Sequence, residues 1–196
     1  MVSSGGMVKD EGSGAAERWV FGYGSLMWRP GFPYLEAKPA VLHGWRRAFC
    51  IYSVVHRGTF KRPGLVLGLT QGGNVRGVAF RVAGCDWADA YAYLIEREQP
   101  TETYMDAEVE VSLAGGEPVS ALTFLSDVQH PQWAGELDLE TQARLIAGAR
   151  GLSGRNVDYL RDLVRHLIEQ GAPDPAMEQL LARVEGLENE EAAAAA

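Results

Sequence analysis

One carboxyl group stands out because a predicted helix both positions it and ends near it. Four residues after Asp86 recur at i, i+4, i+7 and i+11 and so share one helix face: Trp87, Tyr91, Leu94 and Glu98. Asp86 is a good N-cap for this helix, which we predict to run to about residue 97. Glu98 thus ends the face that should be buried, and Pro100 biases the residue before it away from helical geometry.

This position suits Glu98 to acid–base chemistry. Burial and the negative end of a helix dipole both disfavour an ionised carboxyl, so both raise its pKa. A carboxyl with a raised pKa can exchange protons with a substrate near neutral pH. The alternative is that the last helical turn frays, so that Glu98 meets water or pairs with Arg97.

The second candidate is a glycine-rich turn that reads Phe-Gly-Tyr-Gly-Ser-Leu at 21–26, after a short apolar run. A dinucleotide-binding fingerprint needs glycine at position 27, and a serine nucleophile elbow needs glycine at both 23 and 27; the sequence has Tyr23 and Met27. Ser25 is therefore a poor nucleophile. The turn can instead leave successive backbone N–H groups free to bind a small carboxylate, unless it is an ordinary connection.

Two further stretches could contact a substrate. Arg57, which follows His56, could hold a carboxylate through two hydrogen bonds, or it could be a solvated loop residue. His56 could act as a base or have a structural role. The segment at 153–156 opens a predicted helix and could present N–H groups to a ligand, although capping by Ser153 or Asn156 explains it equally well.

Composition narrows the class of protein. A formal charge of −8 argues against a nucleic-acid partner, because a phosphate-backbone binder presents a basic face. No stretch approaches the ~20 apolar residues needed to cross a bilayer, and the first residues lack the apolar segment of a secretory signal. The spacing of the two cysteines and four histidines predicts neither a disulfide framework nor a metal site. We expect a cytoplasmic protein with no metal and no membrane partner.

Strand patterns dominate the first half of the chain. We predict a short strand at 19–21, a longer one at 46–55, a hairpin that pairs 65–70 with 75–82 across 71–74, and two paired strands at 107–111 and 120–125.

Helix patterns come mostly later. After the helix that Asp86 caps, we predict helices at 138–150 and 156–170, the second closed by Gly171 and Pro173. Strands first and helices mostly afterwards predict an α+β fold rather than a repeat of βαβ units.

One folded domain is expected at this chain length, spanning residues 18–187. Residues 1–17 are rich in glycine and serine and are predicted to be a disordered tail. Residues 188–196 are acidic and then all alanine, which predicts a tail that is either a frayed helix end or an appended remnant.

Seven motifs, in sequence order, resemble those of the ChaC-like gamma-glutamylcyclotransferases. They are Trp19–Val20–Phe21–Gly22–Tyr23–Gly24–Ser25–Leu26 with Trp28, Gly44–Trp45–Arg46–Arg47, His56–Arg57–Gly58, Arg62–Pro63–Gly64, Gly77–Val78–Ala79–Phe80–Arg81, Tyr93–Leu94 with Arg97–Glu98, and Ser153–Gly154–Arg155–Asn156 with Tyr159–Leu160. Each motif alone is weak, but seven in order are specific.

This resemblance implies a gamma-glutamylcyclotransferase-like fold, in which helices flank a small, mixed and partly closed β-barrel. It also implies a lyase that cleaves glutathione to 5-oxoproline and cysteinylglycine, and that needs no cofactor because the nucleophile belongs to the substrate. In the family, the Tyr-Gly-Ser-Leu turn holds the γ-glutamyl group and a glutamate after the inserted helix is the acid–base. These roles map onto Tyr23, Gly24, Ser25 and Leu26, and onto Glu98.

The resemblance also bears on the other candidates. Tyr104 matches a family tyrosine, and Tyr104 and Arg57 are predicted to hold other substrate oxygens. Val55 stands where many members have aspartate, and Leu152 stands where a proline is usual; both positions bear on loop geometry and substrate affinity. A cyclotransferase for other γ-glutamyl compounds and a non-catalytic γ-glutamyl-binding module are the alternative functions, and the sequence leaves the oligomeric state open.

Overall fold

Five strands close into a barrel in the computed structural model, which describes residues 16–98 and 103–195. The strands are β1 (Arg18–Gly22), β2 (Glu36–Ser53), β3 (Gly64–Val82), β4 (Tyr104–Leu113) and β5 (Pro118–Ser126). Their order round the barrel is β1-β3-β2-β4-β5. Because β1 runs parallel to β5 while the other pairs are antiparallel, the barrel is mixed. The predicted α+β fold with a small mixed barrel is confirmed.

The hairpin predicted across residues 71–74 is wrong. These residues lie inside β3, and the connection between β2 and β3 is the loop at 54–63. The ladder shifts register between His43 and Trp45, opposite this segment, and the glycines at 44, 72 and 73 have φ of 80°, 97° and 79°. A bulge bends and twists a strand, so these glycines let two long strands curve round the barrel.

The pairing predicted across Gly115–Gly116 is confirmed, with β4 and β5 in register from Tyr104 opposite Ser126 to Ser112 opposite Pro118. The strand predicted at 46–55 begins ten residues earlier, at Glu36.

Four α-helices flank the barrel: α1 (Trp87–Glu98), α2 (Leu139–Ile146), α3 (Asn156–Glu169) and α4 (Pro175–Ala194). The predicted bounds of α1 and α3 agree with the structure to within about one residue. The predicted helix at 138–150 ends early, because Arg150 and Gly151 form β6 (Arg150–Gly151), which pairs with β7 (Gly154–Arg155). None of the helices within 16–98 and 103–195 is both long and apolar enough to span a membrane.

Two hydrophobic cores hold these helices on the barrel. Helices α2, α3 and α4 contribute buried side chains such as Ile146, Leu163 and Val184 to the larger core, together with the barrel interior. Helix α1 contributes Leu94 to a smaller core with Val20 of β1. The end of β1 therefore lies between two packed layers, which fixes the residues that follow it.

The predicted tails differ in what the structure describes. Residues 1–15 of the predicted N-terminal tail lie outside the described residues, whereas Glu17 binds Arg81 at 2.7 Å. The predicted C-terminal tail continues α4 to Ala194, and Glu188 binds Arg155 at 2.7 Å. Residue 187 is thus not the end of the helix.

Candidate active site

The glycine-rich turn directly after β1 is tightly folded. A short 3₁₀ helix spans Ser25–Met27, and the Met27 N–H donates to the carbonyl of Gly24 at 2.9 Å. A Cβ on Gly22 would lie 2.9 Å from the Cβ of Leu26, so only glycine lets the turn pack back on the strand. The sharp turn that the sequence predicts is present.

Three successive backbone donors in this turn have no hydrogen-bond acceptor among residues 16–98 and 103–195. Within the described residues, the N–H groups of Gly24, Ser25 and Leu26 make no hydrogen bond. All three residues line the same narrow cleft. Successive free N–H groups form a concave partial positive charge that binds anions, and a carboxylate is a small anion of suitable size. The turn therefore has the donors of the predicted carboxylate site.

Glu98 ends α1 and lines this cleft. Its side chain is 21% exposed, and its Oε1 lies 2.9 Å from Nε of Arg97. Burial raises the pKa of the Glu98 carboxyl above its ordinary value, while the charge and hydrogen bond of Arg97 oppose part of that rise. Both alternatives for Glu98 therefore hold in part: the carboxyl is largely buried, and it is also paired with Arg97.

Tyrosines form much of the rest of the cleft, which encloses about 50 Å³. Tyr23 donates its hydroxyl hydrogen to the carbonyl of Phe124 at 2.9 Å, and Tyr104 donates to the carbonyl of Leu67 at 2.6 Å. Tyr159, from α3, completes the wall.

The phenols of the cleft stay neutral over the ordinary pH range. Burial raises the pKa of Tyr23 and of Tyr104 well above the usual value for tyrosine, and raises that of Tyr159 to about 12. Of the described residues that line the cleft, the phenols therefore stay neutral, and Glu98 is the carboxyl, with a pKa that burial raises above its ordinary value. This separation of one titrating carboxyl from permanently neutral donors is typical of acid–base sites.

A wider cavity of about 330 Å³ shares Glu98 and Tyr104 with the cleft. Apolar side chains supply most of its wall: Ile51, Val54, Val55, Phe60 and Val66. Among the described lining residues, His56 and Arg97 are the basic ones. Glu98 thus lines both the narrow cleft and the wider, largely apolar cavity.

Known proteins have sequences and a structure related to those of this chain. The sequence profile of the ChaC-like proteins matches residues 18–187. The chain belongs to the ChaC-like family. Escherichia coli K12 has a ChaC-like relative, a glutathione-specific gamma-glutamylcyclotransferase, that is 37% identical over 169 residues, covering 86% of this chain and 73% of that protein.

A second relative and a solved structure agree with this assignment. The glutathione-specific gamma-glutamylcyclotransferase 1 of Danio rerio is 34% identical over 159 residues, covering 79% of this ChaC-like chain and 81% of its own. The crystal structure of a yeast gamma-glutamyl cyclotransferase specific to glutathione superposes with a TM-score of 0.78 and 23% identity, over 88% of this chain and 100% of that one. At that identity the superposition establishes the fold.

Arg97 of this ChaC-like chain links the two halves of the site, whereas the sequence suggested only that it could pair with Glu98. Its Nη2 donates to the Ser25 hydroxyl at 2.8 Å, and its Nη1 lies 3.1 Å from the Tyr93 hydroxyl and also contacts the carbonyl of Arg29. One guanidinium therefore holds the turn and the Glu98 carboxyl together. The adjacency of Arg97 and Glu98 in sequence was visible, but the contact with Ser25 spans 72 positions.

Arg57 lies behind the cleft wall. Its Nη1 donates to the carbonyl of Ser153 at 2.6 Å, and its guanidinium carbon lies 5.1 Å from the centre of the Tyr159 ring. His56 contacts the Ser153 hydroxyl through Nδ1 at 2.9 Å. Arg57 lines neither the cleft nor the wider cavity, so its described contacts support the wall through Tyr159.

The two departures from the family pattern lie together beside the wider cavity. The Leu152 N–H donates to the carbonyl of Val55 at 2.9 Å, and both side chains are exposed. A proline at position 152 could not make this hydrogen bond, because proline has no N–H. The departures are therefore structurally compatible with each other.

Asn156 does not cap α3 through its side chain, and neither does Ser153. The N-cap residue is Arg155, which makes no capping hydrogen bond, and Asn156 is fully buried with its amide on the backbone of Leu65. The capping role offered for this segment is wrong, because the Asn156 amide binds the backbone of Leu65 and the Ser153 hydroxyl contacts His56.

No group of three or more metal-binding side chains occurs within 16–98 and 103–195. Cys50 and Cys85 are both free thiols. Burial raises the pKa of the Cys50 thiol to about 12, so it remains protonated and has little nucleophilic character.

Proposed function

We propose that this chain is a glutathione-specific gamma-glutamylcyclotransferase, a lyase that converts glutathione to 5-oxoproline and cysteinylglycine. The observation that carries the proposal is the pairing of one titratable carboxyl, Glu98, with the free N–H groups of 24–26 in a single cleft. Relatives of that name at 34–37% identity support the choice of substrate. Without a carboxyl in the cleft, the turn would suit a binding module equally well.

The reaction moves two protons and exchanges one C–N bond for another. The α-amine of the γ-glutamyl unit attacks its own γ-carbonyl, which forms the lactam ring and breaks the amide bond to cysteine. The substrate's α-ammonium loses two protons in becoming the lactam N–H, and the departing nitrogen gains two in becoming an ammonium. Glu98 takes each proton from the attacking nitrogen and passes it to the leaving nitrogen. The nucleophile belongs to the substrate, so no cofactor is required.

The turn supplies orientation. The N–H groups of Gly24, Ser25 and Leu26 would bind the substrate's α-carboxylate and so hold the amine near the γ-carbonyl, where ring closure has a high effective molarity. The Tyr104 hydroxyl already donates its hydrogen to the Leu67 carbonyl, so it would accept a hydrogen bond from a substrate N–H rather than hold a substrate oxygen, which revises its predicted role. Arg57 would act through Tyr159 rather than by direct contact, which revises the predicted role to an indirect one.

The wider cavity would receive the cysteinylglycine half of glutathione. Its apolar wall suits a cysteine side chain, and Arg97 and His56 are the basic residues of that wall that a terminal carboxylate could approach. The scissile amide would then lie at Glu98, where the cleft and the cavity meet.

A substrate panel tests the proposed activity. The purified protein is incubated with reduced glutathione, γ-glutamylalanine and ε-(γ-glutamyl)lysine, and 5-oxoproline is followed with the matching amine product. We expect equal amounts of 5-oxoproline and cysteinylglycine, with glutathione the best substrate. Turnover of another compound but not of glutathione would assign a different cyclotransferase, and no turnover of any would favour a γ-glutamyl-binding module.

The pH dependence of kcat/KM is expected to report on Glu98. The carboxyl must be ionised to accept the first proton, so activity should fall as the pH drops through its raised pKa. Tyr23, Tyr104 and Tyr159 stay neutral there, which leaves Arg97 as the charge in contact with it. Replacing Arg97 with methionine removes a favourable charge and should move the acidic limb to higher pH.

Arg97→Lys is the matched control, because it keeps the positive charge and should leave the acidic limb near that of the wild type. Initial rates from pH 4 to 9 would give the acidic limb of the wild type and of each variant. An unmoved limb in Arg97→Met would contradict the assignment of that limb to Glu98.

The cytoplasm is the proposed location, since its glutathione and thioredoxin systems keep thiols such as Cys50 and Cys85 reduced. Cell fractionation followed by immunoblotting would check this.

A further inference from the structure

A buried guanidinium lies on the far side of the glycine-rich turn from the substrate cleft. Arg47, on β2, has a side chain that is 2% exposed, and its Nε donates to the carbonyl of Tyr23 at 2.7 Å. Its Nη2 contacts the carbonyl of Arg76 and lies 3.7 Å from Sδ of Met27. Its remaining partner is Asp174, whose Oδ2 lies 3.3 Å from Nη1. Arg47 lines neither the cleft nor the wider cavity.

The bond to Tyr23 fixes the direction of the next N–H group. The Tyr23 carbonyl and the Gly24 N–H belong to one peptide unit, and in a trans peptide these two groups point in opposite directions. A carbonyl drawn to Arg47 therefore turns the Gly24 N–H the other way, and Gly24 lines the cleft. The positive charge also polarises the peptide, which makes its N–H a stronger donor.

Asp174 keeps this arrangement in place. Its Oδ1 accepts from the N–H groups of Ala176 and Met177 at 3.2 and 3.4 Å, so the same carboxyl that binds Arg47 also caps α4. The pair gives the buried guanidinium a counter-charge, without which it would be expensive to keep ionised. The start of α4 and the substrate turn are thus joined through one ion pair.

We propose that Arg47, held by Asp174, is a positioning residue that aims the Gly24 N–H at the α-carboxylate of the γ-glutamyl substrate. This inference rests on the proposed function and adds to it a residue that the substrate does not touch. It requires that loss of Arg47 weakens substrate binding more than it slows proton transfer, because Glu98 and Arg97 lie on other elements. A merely structural Arg47 would change stability and leave the KM of the folded enzyme unaltered.

The test compares kcat, KM and thermal stability in Arg47→Met, Arg47→Lys and Asp174→Asn. Arg47→Met is expected to raise the KM for glutathione about tenfold or more, as for loss of a charge-assisted hydrogen bond, and to change kcat by less than about threefold. Arg47→Lys should recover part of that loss, since lysine restores a charged donor. The acidic limb of kcat/KM should stay at the wild-type pH in all three variants.

Asp174→Asn tests the same role if Arg47→Met does not fold. Asparagine is as good an N-cap as aspartate, so this change removes the counter-charge of Arg47 while keeping the cap on α4. A severalfold rise in KM is expected. Asp138→Asn is the matched control, because Asp138 caps α2 through Thr141 and touches neither the turn nor Arg47; its KM should not change.

The outcomes distinguish failure of the positioning role from failure of the proposed function. A wild-type KM in the folded Arg47 and Asp174 variants, measured while the wild-type enzyme turns over glutathione, would overturn the positioning role alone. A fall in kcat with no rise in KM in the same variants would also overturn the positioning role. A wild-type protein that turns over no γ-glutamyl compound would overturn the proposed function first, and this inference with it.

Discussion

Glu98→Gln is expected to lower kcat/KM for glutathione by about 10²- to 10⁴-fold, which is the range that general acid–base catalysis contributes. Glutamine has nearly the same shape and can still accept a hydrogen bond from Nε of Arg97, so the contact that joins Glu98 to the turn can persist. It cannot take a proton from the substrate ammonium. Most of the loss should therefore be in kcat, with little change in KM.

Stability gives this prediction an internal check. The folded-state pKa of Glu98 is raised, so its contribution to stability is complete below the unfolded-state pKa and is lost as the pH rises through the folded-state pKa. Above the folded-state pKa, the ionised carboxyl therefore lowers the stability of the folded protein. Glu98→Gln removes that cost, and its Tm at pH 7 should be equal to or above that of the wild type.

Two variants make the measurement decisive. Glu96→Gln is the matched control, because Glu96 lies on the same helix but is exposed, and its kcat/KM should match the wild type. Ser25→Ala should lower activity only modestly, since the backbone of Ser25 is proposed to bind the substrate. Near-wild-type turnover in Glu98→Gln would refute the acid–base assignment, and a loss in Ser25→Ala as complete as that in Glu98→Gln would point to a covalent serine.

Local pattern was enough to find Glu98 and the turn. The helix period places Glu98 on the buried face of α1, and its position at the end of that helix is confirmed. The glycines at 22 and 24 mark the sharp turn after β1, and the free N–H groups follow from its geometry. Both features are set by residues within about a dozen positions of each other, where sequence spacing translates directly into direction.

Features that depend on contacts between residues far apart in the chain were not predicted from the sequence. Tyr159 reaches the cleft because α3 packs on the barrel, and Arg47 lies beneath the turn because β2 crosses there. The segment at 71–74 resembles a hairpin locally, yet its glycines serve a bulge because β2 continues opposite it. In each case the deciding contact joins residues far apart in sequence, and no local propensity specifies it.

Asn156→Ala is expected to destabilise the fold by about 3 kcal/mol, because a buried backbone group left without a partner costs roughly 1–3 kcal/mol and this change leaves two. The side chain of Asn156 is fully buried; its Oδ1 accepts from the Leu65 N–H at 2.7 Å, and its Nδ2 donates to the Leu65 carbonyl at 2.8 Å. The amide thus makes the two hydrogen bonds that a neighbouring strand would make to Leu65, near the start of β3. It also ties that strand to the start of α3, from which Tyr159 reaches the cleft.

Urea denaturation of Asn156→Ala and the wild type would measure the loss, which corresponds to a fall in Tm of roughly 10 °C for a domain of this size. Asn74→Ala is the matched control, because Asn74 lies on the same strand but is exposed, and its side chain contacts the exposed His43 at 2.9 Å. Its loss should be within about 0.5 kcal/mol. If the two variants lost equal stability, the Leu65 peptide groups would have found other partners, and Asn156 would not be the link between β3 and the helix that carries Tyr159.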